Sequence, residues 1–249
     1  MQFKFLGMNS SVVLMYHDIV TRDDKSSGFQ NDSAFPYKVE ESVFEEQVKA
    51  LQGKDVIFTF DDGGESFYSK AAPILEKYGF RGVFFISTKY IGTPGFLTAG
   101  QVKELAERGH IIGSHSHTHP KVFSDLKPND IKEEWNKSYA ILNSILGETN
   151  LTASLPNGCS SKEVLNYAFA AGFTEVYTSE PTVKIRQINN KKVIGRYVVM
   201  ELTSTQKVVK IVTSKTTRLK LYVKWKLVVL VRTILGPLYG VLKAKLLSH

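Results

Sequence analysis

Cysteine is nearly absent from this chain of 249 residues, and the single Cys159 has no partner for an internal disulfide. No oxidising-compartment framework can therefore be read from it. Acid is missing from the C-terminal part. Residues 202–249 hold 10 of the 32 Lys/Arg and none of the 24 Asp/Glu, so residues 1–201 carry 22 basic against 24 acidic side chains. A nearly neutral body with a basic tail suggests attraction of the tail to anionic lipid, polyanionic glycan or nucleic acid. Long apolar runs are also lacking. The longest uncharged span of the tail, 233–242, is far below the ~20 residues of a membrane crossing. At the other end, Asn9, Ser10 and Ser11 interrupt the first residues before an apolar stretch of signal-peptide length can form. The expectation is a protein made and kept on the cytoplasmic side, with a peripheral seat at the inner membrane face as an option.

What is present argues for a folded domain. Hydrophobic residues make up 43% of the chain, enough for a substantial core and against general disorder. Short apolar runs at 11–16, 55–60, 82–86, 110–113, 174–177 and 193–199 read as strands, with 151–155 a further apolar run. Helical spacing occupies 41–51, 66–78, a stretch starting at Thr98, 128–146 and 160–171. Six or seven strands alternating with helices predict an α/β barrel or wound sheet over 1–201, with 202–249 as a basic appendage. In that appendage 218–227 alternates charged and apolar residues as a strand would, yet the pattern continues to Leu235 without turn residues, as a helix would. We expect an interfacial amphipathic segment anchored by Trp225 and Tyr239, the alternative being a basic element packed on the domain.

Two clusters carry the chemistry. The run Phe58-Thr59-Phe60-Asp61-Asp62-Gly63-Gly64 delivers two carboxylates to the end of a buried strand, where parallel sheets and barrels place their sites; alone, it could be only a turn. The second cluster is His115-Ser116-His117-Thr118-His119-Pro120. His115 and His119, four residues apart, share a side in either an extended or a helical backbone, whereas His117 joins them only if the backbone is extended. One Asp and two His would form an open divalent-metal site with room for water and substrate, the alternative for the histidines being a solvated loop.

These stretches, with Lys77-Tyr78-Gly79-Phe80 and the run at 82–86, resemble the first two motifs of the polysaccharide deacetylase family, carbohydrate esterase family 4 (NodB-type). The likeness is closest through Pro120. It implies a distorted (β/α) barrel of about seven strands and metal-dependent removal of acetyl groups from an N-acetylated glycan or glycan precursor. By position, Asp62, His115 and His119 would bind the metal, zinc before cobalt or nickel, and Asp61 would be the general base. The third motif is reduced to Ser154-Leu155-Pro156-Asn157-Gly158: its Arg is replaced by Ser154, and the backbone of Asn157 would be the oxyanion donor. The fourth motif is missing at 174–182, and Arg196 is the cation considered as a substitute for the lost Arg. No histidine lies between His119 and His249 to serve the fifth motif. Instead, Val12-Val13-Leu14-Met15-Tyr16-His17-Asp18 resembles that strand-end motif moved to the N-terminus, as in a permuted branch of the family. His17 would then be the general acid; its plain alternative is a structural hydrogen bond. Rival readings are a metal amidohydrolase acting on a small amide and a non-catalytic glycan-binding module. The basic tail is expected to meet an anionic membrane, and no nucleic acid is expected.

Overall fold

The structure, a computed structural model, describes residues 11–147, 151–158 and 161–235. Strand β1 (Val12–Tyr16) leads into short β2 (Ile19–Val20), a loop, and β3 (Val39–Glu40), which pairs in parallel with β2 and opens α1 (Glu41–Ala50). Then come β4 (Val56–Phe60), α2 (Ala72–Lys77), β5 (Gly82–Ile86), α3 (Ala99–Glu107), β6 (Ile111–Ser114), α4 (Pro128–Leu146), β7 (Thr152–Ser154), α5 (Lys162–Ala171) and β8 (Glu175–Tyr177). Last described are β9 (Arg186–Ile188), β10 (Lys191–Ile194), β11 (Tyr197–Val198), α6 (Thr205–Thr213) and α7 (Lys215–Leu235). Local signals set several boundaries. Thr98 accepts from Gln101 N–H while the Gln101 side chain accepts from Thr98 N–H, a capping box that starts α3. Within the helix expected over 66–78, Pro73 has no N–H to give, and the preceding turn, Phe67–Ala71, is widened to π geometry.

The main sheet has nine strands in the order β11-β1-β4-β5-β6-β7-β8-β10-β9, parallel throughout except for the β9–β10 hairpin. Its curvature follows from connectivity. Strands β10 and β11 flank opposite ends of the parallel run, yet only Gly195 and Arg196 separate them in sequence. Three peptide links reach at most about 11 Å, so the sheet must curl until its ends nearly meet. This is the distorted barrel expected from the sequence. The run at 193–199 is two strands rather than one, and the hairpin at Asn189 and Asn190, both at positive φ, adds another.

Strand alternation sorts the core into two layers. Val12, Leu14, Tyr16, Phe58, Phe60, Phe84 and Ile112 face outward beneath the helices, in one large core. Val13, Ile57, Val83, Phe85, Tyr177 and Ile194 face inward and fill the lower barrel. Helix α6 joins the outer core through Val208 and Ile211. The tail up to Leu235 is helical. Arg218 Nη1 donates to the carbonyls of Ile211 and Val212 (2.9 and 2.8 Å), tying the start of α7 to the end of α6, while Leu219, Val223, Leu227, Leu230 and Ile234 stay exposed. Tyr239 and Cys159 lie outside the described residues. Among the described residues no helix is long and apolar enough to cross a membrane.

Candidate active site

One step above the apolar interior, the inward positions turn polar. On β4 the inward series Ile57, Thr59 continues to Asp61, on β6 the series Ile111, Gly113 continues to His115, and β7 contributes Ser154. Asp62, next to Asp61, would face the other way in regular strand geometry. Its φ of +87° breaks that alternation and brings a second carboxylate to the same cleft.

The carboxylate of Asp61 is bound from two sides. Arg196 donates through Nη1 to Oδ1 (2.6 Å) and through Nη2 to Oδ2 (2.7 Å), and Ser154 Oγ donates to Oδ1 (3.1 Å). The guanidinium is fixed in turn by the Thr178 carbonyl (3.2 Å), Thr59 Oγ1 (3.2 Å) and the Phe85 ring beneath it, 5.4 Å from the centroid. Burial raises the Asp61 pKa, but Arg196, followed by His115, outweighs it and holds the carboxyl below its ordinary value. The missing third-motif cation is therefore supplied from the junction of β10 and β11. Gly195 permits this, since a Cβ there would lie 2.4 Å from the Glu180 carbonyl oxygen.

Asp62, His115 and His119 converge, their ligand atoms lying within 4.8 Å of one another. His115 Nε2 is 3.4 Å and His119 Nε2 3.3 Å from Asp62 Oδ1, a buried oxygen without a hydrogen-bond partner among the described residues. Three lone-pair atoms facing one another, one of them an orphaned buried carboxylate oxygen, fit a divalent cation. Burial pushes His115 down to about 4, which keeps it neutral at pH 7. For His119 burial acts downward too, but the adjacent Asp62 carboxylate outweighs it and raises its pKa. Against burial, His119, His17 and His115 pull the Asp62 pKa well below the usual carboxylate range.

The histidine loop is neither extended nor helical: Ser116 and His119 have φ of +66° and +56°. His117 accordingly leaves the cluster, its Nδ1 3.0 Å from Thr88 Oγ1. Glu134 of α4, which the sequence reading missed, accepts from the N–H of His117 (3.0 Å) and of Thr118 (2.8 Å) and so braces the loop. His17 follows β1 at the rim, against the Tyr37 ring (4.6 Å), with a buried Nδ1 that has no hydrogen-bond partner among the described residues. It stands close enough to Asp61 and Asp62 to be among the groups that lower the pKa of both. Asn157, just past β7, has φ +53° and reaches the Pro120 carbonyl through its side chain (3.5 Å).

The long loop after β2 is ordered by buried Asp18, which accepts from Ser27 Oγ (2.7 Å) and Ser66 Oγ (3.1 Å), and by Lys38, whose Nζ donates to the Ser27 carbonyl (2.6 Å). The loop thereby sets Phe29 against His119, with ring centroids 5.0 Å apart. Phe96 and Leu97 are buried, with Phe96 stacked on Tyr90, and His110 accepts from Gly82 N–H (3.0 Å) in a structural role.

A sequence profile of the polysaccharide deacetylase family matches residues 49–176, half of the chain. The chain is a member of the polysaccharide deacetylase family. The peptidoglycan-N-acetylmuramic acid deacetylase PdaA of Bacillus subtilis is 30% identical over 141 residues, covering 56% of this chain and 51% of that protein. The poly-beta-1,6-N-acetyl-D-glucosamine N-deacetylase of Staphylococcus aureus is 24% identical over 219 residues, covering 69% and 73%. The chain spans about half the length of the curated relatives it matches at 30% identity or above, apart from one far longer protein of which it spans 6%. Among solved structures, the Streptococcus pyogenes deacetylase PplD in complex with acetate shares the fold, with a TM-score of 0.68 at 20% identity over 82% of this chain and 98% of that one. The matched span includes the Asp pair, the histidine loop and Ser154, whereas Arg196 lies beyond it.

Proposed function

We propose that this member of the family is a hydrolase that removes acetyl groups from an N-acetylated sugar or polysaccharide. One observation carries the reading: Asp62, His115 and His119 converge on one point, and Asp61 Oδ2 lies 3.9 Å from His115 Nε2. Asp62, His115 and His119 would hold the metal, and mixed nitrogen and oxygen donors suit zinc, with cobalt or nickel as substitutes. When bound, such a cation polarises an acetamide carbonyl and acidifies water. Asp61 takes the proton of the attacking water on Oδ2, which among the described residues accepts only from Arg196 Nη2 and keeps a second lone pair, whereas Oδ1 already takes two hydrogen bonds. His17 gives a proton to the sugar nitrogen as the C–N bond breaks, and the backbone N–H of Asn157 takes the developing oxyanion. The products are acetate and a free amine. Acetate release from N-acetylglucosamine oligomers with added Zn²⁺ or Co²⁺ tests the reading: Asp61→Asn should keep the metal and lose about 10²–10⁴-fold in turnover. A fully active Asp61→Asn would overturn the assignment of the base. Metal and glycan binding without acetate release would favour the glycan-binding module, and turnover of small amides alone the amidohydrolase.

A second reading concerns the tail. Along α7 the exposed Leu219, Val223, Leu227, Leu230 and Ile234 recur at spacings of 4, 4, 3 and 4, a single helical stripe, with Lys220, Lys224 and Lys226 nearby. We infer that this stripe meets an anionic membrane surface, the inner face if the protein stays on the cytoplasmic side. A second copy is disfavoured as its occupant, because α7 carries no acid to pair with the other copy's cations. The full chain should float with phosphatidylglycerol vesicles and not with phosphatidylcholine alone, and Val223→Asp with Leu230→Asp should abolish flotation. Unchanged flotation, or salt-sensitive DNA binding in its place, would refute this reading.

A further inference from the structure

Ser154 stands where the resemblance puts an arginine, and by sequence it is a motif residue lost. Its surroundings say otherwise. The side chain is fully buried, and its Oγ lies 2.6 Å from His115 Nδ1 and 3.1 Å from Asp61 Oδ1. A serine hydroxyl has one proton to give. Asp61, ionised against Arg196, has none to offer, so the hydroxyl proton goes to the carboxylate and the Oγ lone pair is left to receive Nδ1–H. That fixes the imidazole as the Nδ1–H tautomer and turns a bare Nε2 toward Asp62 Oδ1 and His119.

We propose that Ser154 is a positioning residue: its hydroxyl joins the metal ligand His115 to the base Asp61, selecting the tautomer that can coordinate and holding the carboxylate in register with it. The proposal rests on the metal-hydrolase reading above. It also explains how the arginine could be lost. Arg196 holds both Asp61 oxygens from the far side of the barrel, and the 154 side is left to a neutral group that accepts from one neighbour and donates to the other. An arginine has five donors and no acceptor and could not receive Nδ1–H. It would also place a second cation against Arg196.

The experiment compares wild type with Ser154→Ala, Ser154→Thr and Ser154→Arg in the full chain. It measures Zn²⁺ and Co²⁺ affinity by competition with a chelating dye, ¹⁵N imidazole shifts in the metal-free protein, and kcat and KM on N-acetylglucosamine oligomers. In metal-free wild type His115 should carry its proton on Nδ1. Ser154→Ala should weaken metal binding about 10- to 100-fold, the usual cost of removing such an outer partner, and lower kcat with little change in KM. Ser154→Thr, which keeps the hydroxyl, should restore most of both, and Ser154→Arg should not. Equal metal affinity in Ser154→Ala and wild type, or an Nε2–H tautomer in the metal-free protein, would overturn the proposal. If Ser154→Ala fails to fold, the wild-type tautomer and the Ser154→Thr affinity still decide. If no variant releases acetate, the deacetylase reading fails, while tautomer and metal affinity still report on Ser154.

Discussion

The lower and upper halves of the barrel interior are built from the same strands by the same alternation, yet they do opposite things with it. Below, Val13, Ile57, Val83, Phe85, Tyr177 and Ile194 pack as an apolar plug. Above, on the next inward positions, Thr59, Asp61, His115 and Ser154 with the incoming Arg196 form a buried polar network. The plug tolerates any side chain of suitable volume and shape, whereas every member of the network depends on a named partner. Arg196 over Phe85 is where the two halves meet.

Breaking the network should have the largest effect. Arg196→Met leaves Asp61 buried without its cation and should cost about 3–5 kcal/mol in urea unfolding, together with most of kcat. Adding Asp61→Leu, which extends the apolar plug upward, should recover much of that stability and none of the activity. If the double variant is no more stable than the single one, the two halves are not separable in this way. A smaller effect concerns pH. Proton and cation compete for His119 Nε2, whose pKa Asp62 raises above the ordinary imidazole value. Metal affinity should therefore fall about tenfold per unit as pH drops through that pKa and level off above it, as titration of metal-free protein at several pH values would show. The smallest effect is in the plug: Ile57→Val should cost about 1 kcal/mol in urea unfolding and leave kcat unchanged.

What the sequence disclosed follows the same division. The Asp pair and the histidine cluster were legible because each is a local pattern, and strand parity explains why Asp61 and His115 meet. Asp62 is different, since its place depends on a positive φ that nothing in Phe60-Asp61-Asp62-Gly63 announces. Arg196 could be singled out only by its charge. Its partner is 135 residues away, and the strand-like run at 193–199 concealed the break that turns it inward. The tail was ambiguous for a related reason. Charged and apolar residues alternate over 218–227 as in a strand, but no neighbouring strand edge receives them, and the described residues form a helix. Glu134 and Phe29 were missed because each acts on the histidine loop from a distant segment, one from a helix and one from a loop.

The seam between the two ends of the sheet is spanned by a two-residue bridge, and one of those residues is the clamp on Asp61. Were β11 to part from β1, the strand next to Arg196 would lose its only pairing among the described strands of the sheet, so closure of the sheet and the clamp on Asp61 are coupled through that bridge. On the proposed function, loss of closure would then be read out as loss of turnover.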